Sequence, residues 1–598
     1  MVAVLLSTSV AQAAVNHPFG SHPFTYVNGA IRPNHVTQAQ LDQAVRTFYD
    51  AWKAQYLVQT CGPGRWVVRA NAGGGNLTVS EAHGYGMIIM ALMAGHDPQA
   101  QQIFDGMFAY FRDHPSAITP SLMAWNQNDS CQSVGGVNTA SDGDLDIAYA
   151  LLLADKQWGS CGAVNYLAEA QNVIAGIKSG DLDQSGQYVK LGDWAHPSNP
   201  WYYDSTRSSD FMPDHYRSFL NATGDPVWTN VLNRTYQIVA SLQASHSPAT
   251  GLLPDFVRFP LGTPEPAPPG FLEDAQDGAY DYNACRDPLR LGTDFLVSGD
   301  ARAKTALDKI NAWIRNATGG NPSAIRAGYR LDGTPSPGTD YRSMAFIAPF
   351  GVGAMVDATN QAWLNAIWDL VVATPIGAEH YYENTLKLLS MIVMSGNWWP
   401  PQAVTGGCEP SGNSLCTGGG TMQRVRIQLG RLGGKPNDET LQLRARIFFP
   451  QGVPVTSLTE GAQIRVEDLG AGSAAIFDLT EEASTPVPAV SAGVCDAKKD
   501  GWKVTKVMTR YRNGSTALDP PTCTAGSARG LALLKYRKLG DRDLDVVVQV
   551  RKSSLPTPVG PLRATLVLGA TQAAGDAGAC GTSAPVACSG KGGVRRCK

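Results

Sequence analysis

Apolar residues recur at a helical interval through the first two thirds of the chain. After Thr37, the stretch LDQAVRTFYDAWKAQYL places Leu41, Val45, Phe48, Tyr49 and Trp52 on one helical face, with Thr37 in position to cap it. The same beat returns in GYGMIIMALMAG, QIFDGMFAYFRDH, LDIAYALLLADKQW, VNYLAEAQNVIAGI, VWTNVLNRTYQIVASL, ALDKINAWIRNA, QAWLNAIWDLVVAT and YENTLKLLSMIVM. From about residue 37 to 400 the pattern predicts a helix roughly every 25 to 35 residues, separated by Gly-, Pro- and Asp-rich loops. Several of these helices are apolar on nearly all sides, which suits helices enclosed by neighbours.

The pattern then changes. Residues 403–420, AVTGGCEPSGNSLCTGGG, read as a Gly/Ser/Cys linker. Beyond them LQLRARIFF, AQIRVEDL, WKVTKVMTRYR, RGLALLKYRK, LDVVVQVRK and LRATLVLG alternate apolar with polar positions, so residues 421–572 are expected to form a smaller all-β, sandwich-like domain. The tail, 573–598, is small and polar and is expected to be mobile unless its cysteines pin it. Twelve of the 13 tryptophans precede residue 400. The β domain therefore has little beyond Trp502, Tyr511 and Tyr536 from which to build an aromatic sugar platform, and packing or attachment is the favoured role.

Composition narrows the class. The 598 residues are 43% hydrophobic and 17% charged, as in a globular protein with a large core. A net charge of −3 gives no reason to expect nucleic acid or an anionic membrane as partner, and no apolar run is long enough to span a bilayer. Residues 1–13 resemble a secretory signal, an apolar stretch ending in Ala11-Gln12-Ala13, so an extracellular location is expected. Eleven cysteines, seven of them after residue 400, agree with an oxidising compartment and leave one thiol over. Cys and His are not grouped at zinc spacing, and phosphate-loop, nucleotide and GxSxG patterns lack a convincing context. Neither metal nor organic cofactor is expected, and the chain is read as a monomer.

Candidate chemistry lies in three stretches. In VSEAHGYGMIIMALMAG, Glu81 opens a helix with Ser80 as a possible N-cap; alone, it reads as a surface glutamate matched to the helix dipole. In TASDGDLDIAYALLLADKQW, Asp142, Asp144 and Asp146 alternate ahead of an apolar helix; a calcium loop would need a downstream glutamate that is absent, and helix capping is the simpler use. The third, FLEDAQDGAYDYNACRDPLR, is crowded with carboxylates yet carries Asn283 between Tyr282 and Ala284.

Together, Glu81 with GYGM, the ASDGD…DIA…A…W run, LMAW, AFIAPFGVGAM and SGNWWP resemble glycoside hydrolase family 8 from about Phe24 to Trp399. The resemblance implies an all-α (α/α)6 barrel over residues 14–402, followed by the β domain. It also implies inverting hydrolysis of internal β-1,4 linkages. Glu81 corresponds to the general acid. Asp142, with Asp144 beside it, corresponds to the grip on the sugar at the cleavage point, and Trp125 to a stacking position. Tyr85, Tyr282, Asn283 and Arg286 join the substrate-binding set, with Arg286 orienting a carboxylate. Many members carry an aspartate base where this chain has Asn283, which cannot accept a proton. A branch rich in chitosanases pairs YNACR with an upstream FLE whose glutamate is the base, here Glu273. Asp281 is the fallback base, and an exposed loop charge is the bland reading of Glu273. The acidic group Glu273, Asp274, Asp277 and Asp281 favours chitosan as substrate. Mixed-linkage glucan or cellulose is the alternative, and an inactive glycan-binding surface protein is a further one.

Overall fold

The computed structural model describes residues 15–598 apart from 71–74, 161–163, 405–414, 417–418, 436, 450–451, 470–473, 482, 484–485, 516–522, 524–529 and 591. The signal-like residues 1–13 and most of the linker at 403–420 fall outside the described residues. Two compact units meet in sequence at Cys408 and Glu409.

Among the described residues the first unit has twelve helices of eleven residues or more. They are α1 Gln38–Tyr56, α2 Ser80–Leu92, α3 Ala100–Asp113, α4 Ser141–Trp158, α5 Tyr166–Gly180, α6 Pro213–Thr223, α7 Val227–Ser245, α8 Asp287–Ser298, α9 Ala301–Ala317, α10 Met344–Ala354, α11 Gln361–Ala373 and α12 Tyr381–Met394. The even-numbered helices form an inner set: α2 packs on α4, α4 on α6, α6 on α8, α8 on α10, α10 on α12, and α12 back on α2. Each odd-numbered helix packs outside an inner one, α1 on α12 and α3 on α2 among them.

This layering accounts for the apolar pattern. A helix with neighbours on every side has no polar face to offer: α10 is buried at every position, and α2 at every position other than Glu81. An outer helix such as α9 buries one stripe, Ala303, Ala306, Leu307, Ile310 and Ile314, and leaves the rest to water. Thr37 caps α1 in a reciprocal box, Gln40 N–H donating to Thr37 Oγ1 at 3.3 Å and Thr37 N–H to Gln40 Oε1 at 2.8 Å. The two other expected caps are not made. Ser80 is itself the first residue of α2 and its Oγ has no partner among the described residues. Helix α4 begins at Ser141 without a side-chain cap, which leaves its aspartates for other work.

The second unit has twelve strands among the described residues. They are β1 Gly420–Gly430, β2 Glu439–Phe448, β3 Gln463–Asp468, β4 Ala474–Leu479, β5 Asp500–Val504, β6 Met508–Asn513, β7 Leu531–Lys538, β8 Asp543–Ser553, β9 Leu562–Val567, β10 Cys580–Ser583, β11 Cys588–Ser589 and β12 Val594–Cys597. Their order is β4-β3-β9-β10-β1-β2-β8-β7-β6-β5, with β12 pairing β1 and β11. Every pair is antiparallel except β10–β1, which is parallel; β10, antiparallel to β9, joins the strands into one path around one apolar core.

Three features differ from the sequence reading. WKVTKVMTRYR is a hairpin, β5–β6, because Val504 pairs with Thr509 across the residues between them. The strand β1 was not anticipated. The tail is built into the sheet through β10–β12 and pinned by disulfides Cys416–Cys580 and Cys588–Cys597. Trp502 packs on Tyr511 and Tyr536 in the core of the sheet, so these three rings form no exposed platform.

Candidate active site

The N-terminal ends of inner helices bring the chemistry together. Glu81 is in the first turn of α2, Asp142 in the first turn of α4, Arg286 precedes α8, and Tyr381 begins α12; all four line one open cleft of about 660 Å³. Trp125, Tyr282, Asn283 and Glu273 line the same cleft.

Arg286 is the centre of the polar network. Its Nη1 donates to Glu81 Oε2 at 3.0 Å, to Asp142 Oδ2 at 2.9 Å and to Tyr85 Oη at 3.1 Å. Tyr381 Oη donates to the other Glu81 oxygen at 3.1 Å. A helix N-terminus favours an ionised carboxylate, yet burial wins here. It pushes Glu81 up to about 7, against the pull of Arg286 and with a further push from Asp142. Asp142 goes the other way. Burial would raise it, but Arg286 and Arg207 outweigh burial and hold its carboxyl below the usual range. Two neighbouring carboxyls are thereby driven apart, one kept protonated near neutrality and one kept ionised.

The structure accounts for the asparagine in the third stretch. Its Oδ1 accepts from Arg286 Nη2 at 2.7 Å, and its Nδ2 donates to Glu273 Oε2 at 2.8 Å. Glu273 Oε1 accepts from Arg207 Nη2 at 3.2 Å, and Arg207 Nη1 reaches Asp142 Oδ1 at 3.7 Å. An aspartate at 283 would set a second anion against Glu273, whereas an amide can accept from the guanidinium and donate to the glutamate. Asn283→Asp is accordingly expected to lower kcat on the order of 100-fold by displacing Glu273, while Asn283→Ala, which removes the donor without adding charge, costs less; steady-state kinetics on one soluble glycan compares them.

Backbone architecture supports this geometry. Asp255 accepts the N–H groups of Asp281, Asn283 and Ala284 at 2.9, 3.0 and 2.7 Å, fixing the turn that presents Asn283. Asp277 accepts from the N–H groups of Leu272, Glu273 and Asp274 at 2.7, 3.1 and 3.0 Å, shaping the loop that presents Glu273. Gly135 lies under Trp125: its φ is +73°, a Cβ there would approach the indole to 2.7 Å, and its carbonyl accepts from Trp125 Nε1 at 2.7 Å.

Some expected site residues are placed elsewhere. Asp144 is 0% exposed and does not line the cleft; its Oδ1 accepts from Met123 N–H at 2.9 Å, two residues before Trp125, so it anchors that segment. Tyr85 is also fully buried, beneath Arg286. Asp146 pairs with Arg290 and His215 in the core. Of the acidic group taken to favour an amino sugar, only Glu273 lines the cleft: Asp277 is spent on backbone N–H groups, Asp281 is buried, and Asp274 Oδ1 accepts from Gln276 N–H at 2.6 Å. Among the described residues the free thiol is Cys285, buried behind the cleft and 3.5 Å from Tyr382 Oη. Arg207, Trp194 and Tyr381 line the cleft without having been anticipated. The adjacent tyrosines of HYYEN were a usable signal for Tyr381; Arg207, on the short strand Ser205–Arg207 paired with Phe256–Arg258, had none.

Comparison with known proteins places the first unit in a family. Residues 27–396 match the family described as glycosyl hydrolases family 8. A β-glucanase of Niallia circulans is 49% identical over 396 residues, covering 66% of this chain and 94% of the relative. An endoglucanase of Bacillus sp. strain KSM-330 is 42% identical over 383 residues, covering 62% and 80%. Among solved structures, the apo β-1,3-1,4-glucanase of Paenibacillus sp. X4 shares 49% identity with a TM-score of 0.62, covering 65% of this chain and 100% of that one.

Proposed function

The chain belongs to the glycosyl hydrolases family 8, and from that premise we propose that it is an inverting endo-glycosidase cutting β-1,4 bonds of mixed-linkage β-1,3-1,4-glucan, its helix pairs forming the (α/α)6 barrel of that family. That it is a glycoside hydrolase follows from the family and from its glucanase relatives. The observation that carries the mechanism is the placement of Glu273 in the same cleft as Glu81, with the Arg286 guanidinium and the Asn283 amide linking them.

Glu81, raised by burial to about 7, still carries a proton on a large share of molecules near neutral pH and delivers it to the departing glycosidic oxygen. Glu273, fixed by Asn283 and Arg207, takes a proton from water as that water attacks the anomeric carbon. Inversion requires the two carboxylates to stand roughly 6.5 to 9.5 Å apart with a water between them, and here they are linked through Arg286 and Asn283 and not to one another. Asp142, held ionised, grips the sugar whose ring acquires positive charge. Trp125 and Trp194 offer faces for stacking.

The relatives favour glucan over the chitosan expected from the acidic loop, and of that loop's carboxylates only Glu273 lines the cleft, which weakens the electrostatic reason for an amino sugar. Reducing-end release from barley β-glucan, carboxymethyl-cellulose, chitosan and xylan decides the matter: β-glucan is expected to be cut fastest, and faster cutting of chitosan would overturn the substrate reading. Because the proton on Glu81 must be present, kcat/KM should be sustained below about pH 7 and fall about tenfold per unit above it, as Glu81 ionises. An alkaline limb set well above that value would contradict the acid assignment. Export from the cell is part of the proposal, supported by disulfides Cys61–Cys131, Cys416–Cys580, Cys495–Cys523 and Cys588–Cys597.

A further inference from the structure

The net charge of −3 conceals a segregation. Residues 409–598 carry 25 Lys and Arg against 16 Asp and Glu, a net +9, whereas residues 1–408 carry 23 against 35, a net −12. Much of the positive charge of the second unit is gathered on one face of its sheet.

Direct cross-strand partners run Arg426 (β1), Arg444 (β2), Val547 (β8), Lys535 (β7), Arg510 (β6) and Lys503 (β5). Residues directly opposite one another share a face, so these six form a row across the strands, about 24 Å long at the usual strand spacing. Lys598 follows Cys597, which pairs with Ile427, and it extends the row past Arg426. The opposite face is the apolar core, with Leu443, Ala445, Val548, Leu534 and Tyr511. The row is therefore the outer surface, where Arg426, Arg444 and Lys503 are exposed and Lys535 and Arg510 half-buried.

These cations are not neutralised locally. Among the described residues Arg424, Arg426, Arg444, Lys535, Arg510 and Lys503 make no ion pair, and Arg510 Nε is buried without a hydrogen-bond partner. The carboxylate of the next row, Asp545, is shared by Arg446 at 3.0 Å and Arg537 at 3.8 Å. A bulge opposite Ala445 turns Arg424 into the left-handed region at φ +53°, and Arg424, Arg426, Arg444, Arg446 and Lys598 line an open groove of about 930 Å³. Like charges facing one another across a sheet are unfavourable, so an unpartnered row of this length points to a ligand that supplies the counter-charge.

We propose that this face binds a linear anionic polysaccharide bearing one carboxylate per sugar, laid across the strands with successive carboxylates meeting successive cations. Apart from a gap at Val547, the cations recur at strand spacing, an interval of the order of one sugar unit, and guanidinium groups match carboxylates in two-point contact. Single-stranded nucleic acid would call for aromatic faces between the charges, whereas Trp502, Tyr511, Tyr536, Phe449 and Phe477 pack in or against the core, and Phe448, half-buried at the end of its strand, lies beyond Arg446 and outside the row. Such a site would hold the hydrolytic unit on an acidic wall polymer lying beside its neutral substrate.

The test uses the full chain and polygalacturonate, in affinity electrophoresis and calorimetry. Binding is expected at about 50 mM salt and should weaken at least about tenfold by about 300 mM, as exposed charges are screened. The pair Arg426→Glu with Arg444→Glu should weaken it at least about tenfold further, as should Lys535→Glu on a separate strand. Arg426→Lys with Arg444→Lys, which keeps the charge, should stay within about threefold, separating lost charge from lost fold. None of these changes should alter hydrolysis of soluble glycan by the first unit, and the binding readout does not depend on which glycan that is. Absence of binding at low salt, or charge reversals that leave it intact, would overturn the proposal. So would tighter binding of single-stranded DNA or of phosphatidylglycerol vesicles than of polygalacturonate.

Discussion

Glu273→Gln should lower kcat on β-glucan by on the order of 10³-fold while leaving KM within a few-fold. The glutamine keeps the size of the glutamate and can still accept from one of its two donors, Asn283 Nδ2 or Arg207 Nη2, but cannot take a proton from water. The loss belongs to the chemical step, because substrate stacking on Trp125 and Trp194 is untouched. A further variant separates the base from a merely structural charge. In Glu273→Ala, added azide, an anion that attacks without giving up a proton, should restore turnover and yield a glycosyl azide of inverted configuration. Loss without azide rescue, together with altered unfolding, would assign Glu273 to loop architecture instead. Full activity in Glu273→Gln would return attention to Asp281, which is buried and pushed up to about 7 by that burial, with Asp274 adding to the rise.

Glu81→Gln has the second large effect, again on the order of 10³-fold on an ordinary glycan, for a different reason. The leaving sugar alcohol is a poor leaving group until protonated, and the amide has no acidic proton to give. The defect should therefore shrink when the leaving group needs no proton: on an aryl oligosaccharide with a nitrophenolate leaving group, Glu81→Gln is expected to recover to within about tenfold of the parent, whereas Glu273→Gln is not. Equal losses of Glu81→Gln on both substrates would show that Glu81 acts only as a binding or structural charge beside Arg286.

Much of this was legible in sequence because it depends on local pattern. The helical beat from Thr37 onward and the all-round apolar character of GYGMIIMALMAG predicted helices enclosed by neighbours, and α2 is indeed buried at every position but one. The pairing of an asparagine at 283 with a glutamate at 273 drew attention to the two residues that the structure joins by a hydrogen bond. What sequence could not supply was the long-range partner. Asp142 and Asp144 are two residues apart on one helix start, yet one meets Arg286 in the cleft and the other meets the Met123 N–H in the interior, a difference of helical direction that alternation does not encode. Asp277 looked like cleft charge because three loop N–H groups invisible in sequence consume it. Arg207 arrives from a three-residue strand too short to leave any pattern. In the second unit the whole-chain charge hid the basic face, since the acidic excess of one unit nearly cancels the basic excess of the other.

The most direct measurement of the central claim is proton NMR of the anomeric signals during the first minutes of barley β-glucan hydrolysis, before mutarotation. A water activated by Glu273 attacks the face opposite the departing sugar, so the new reducing ends should appear first as the α-anomer and only later equilibrate. Immediate appearance of the β-anomer would mean a retained configuration, and the assignment of Glu81 as acid and Glu273 as base across a bound water would be wrong.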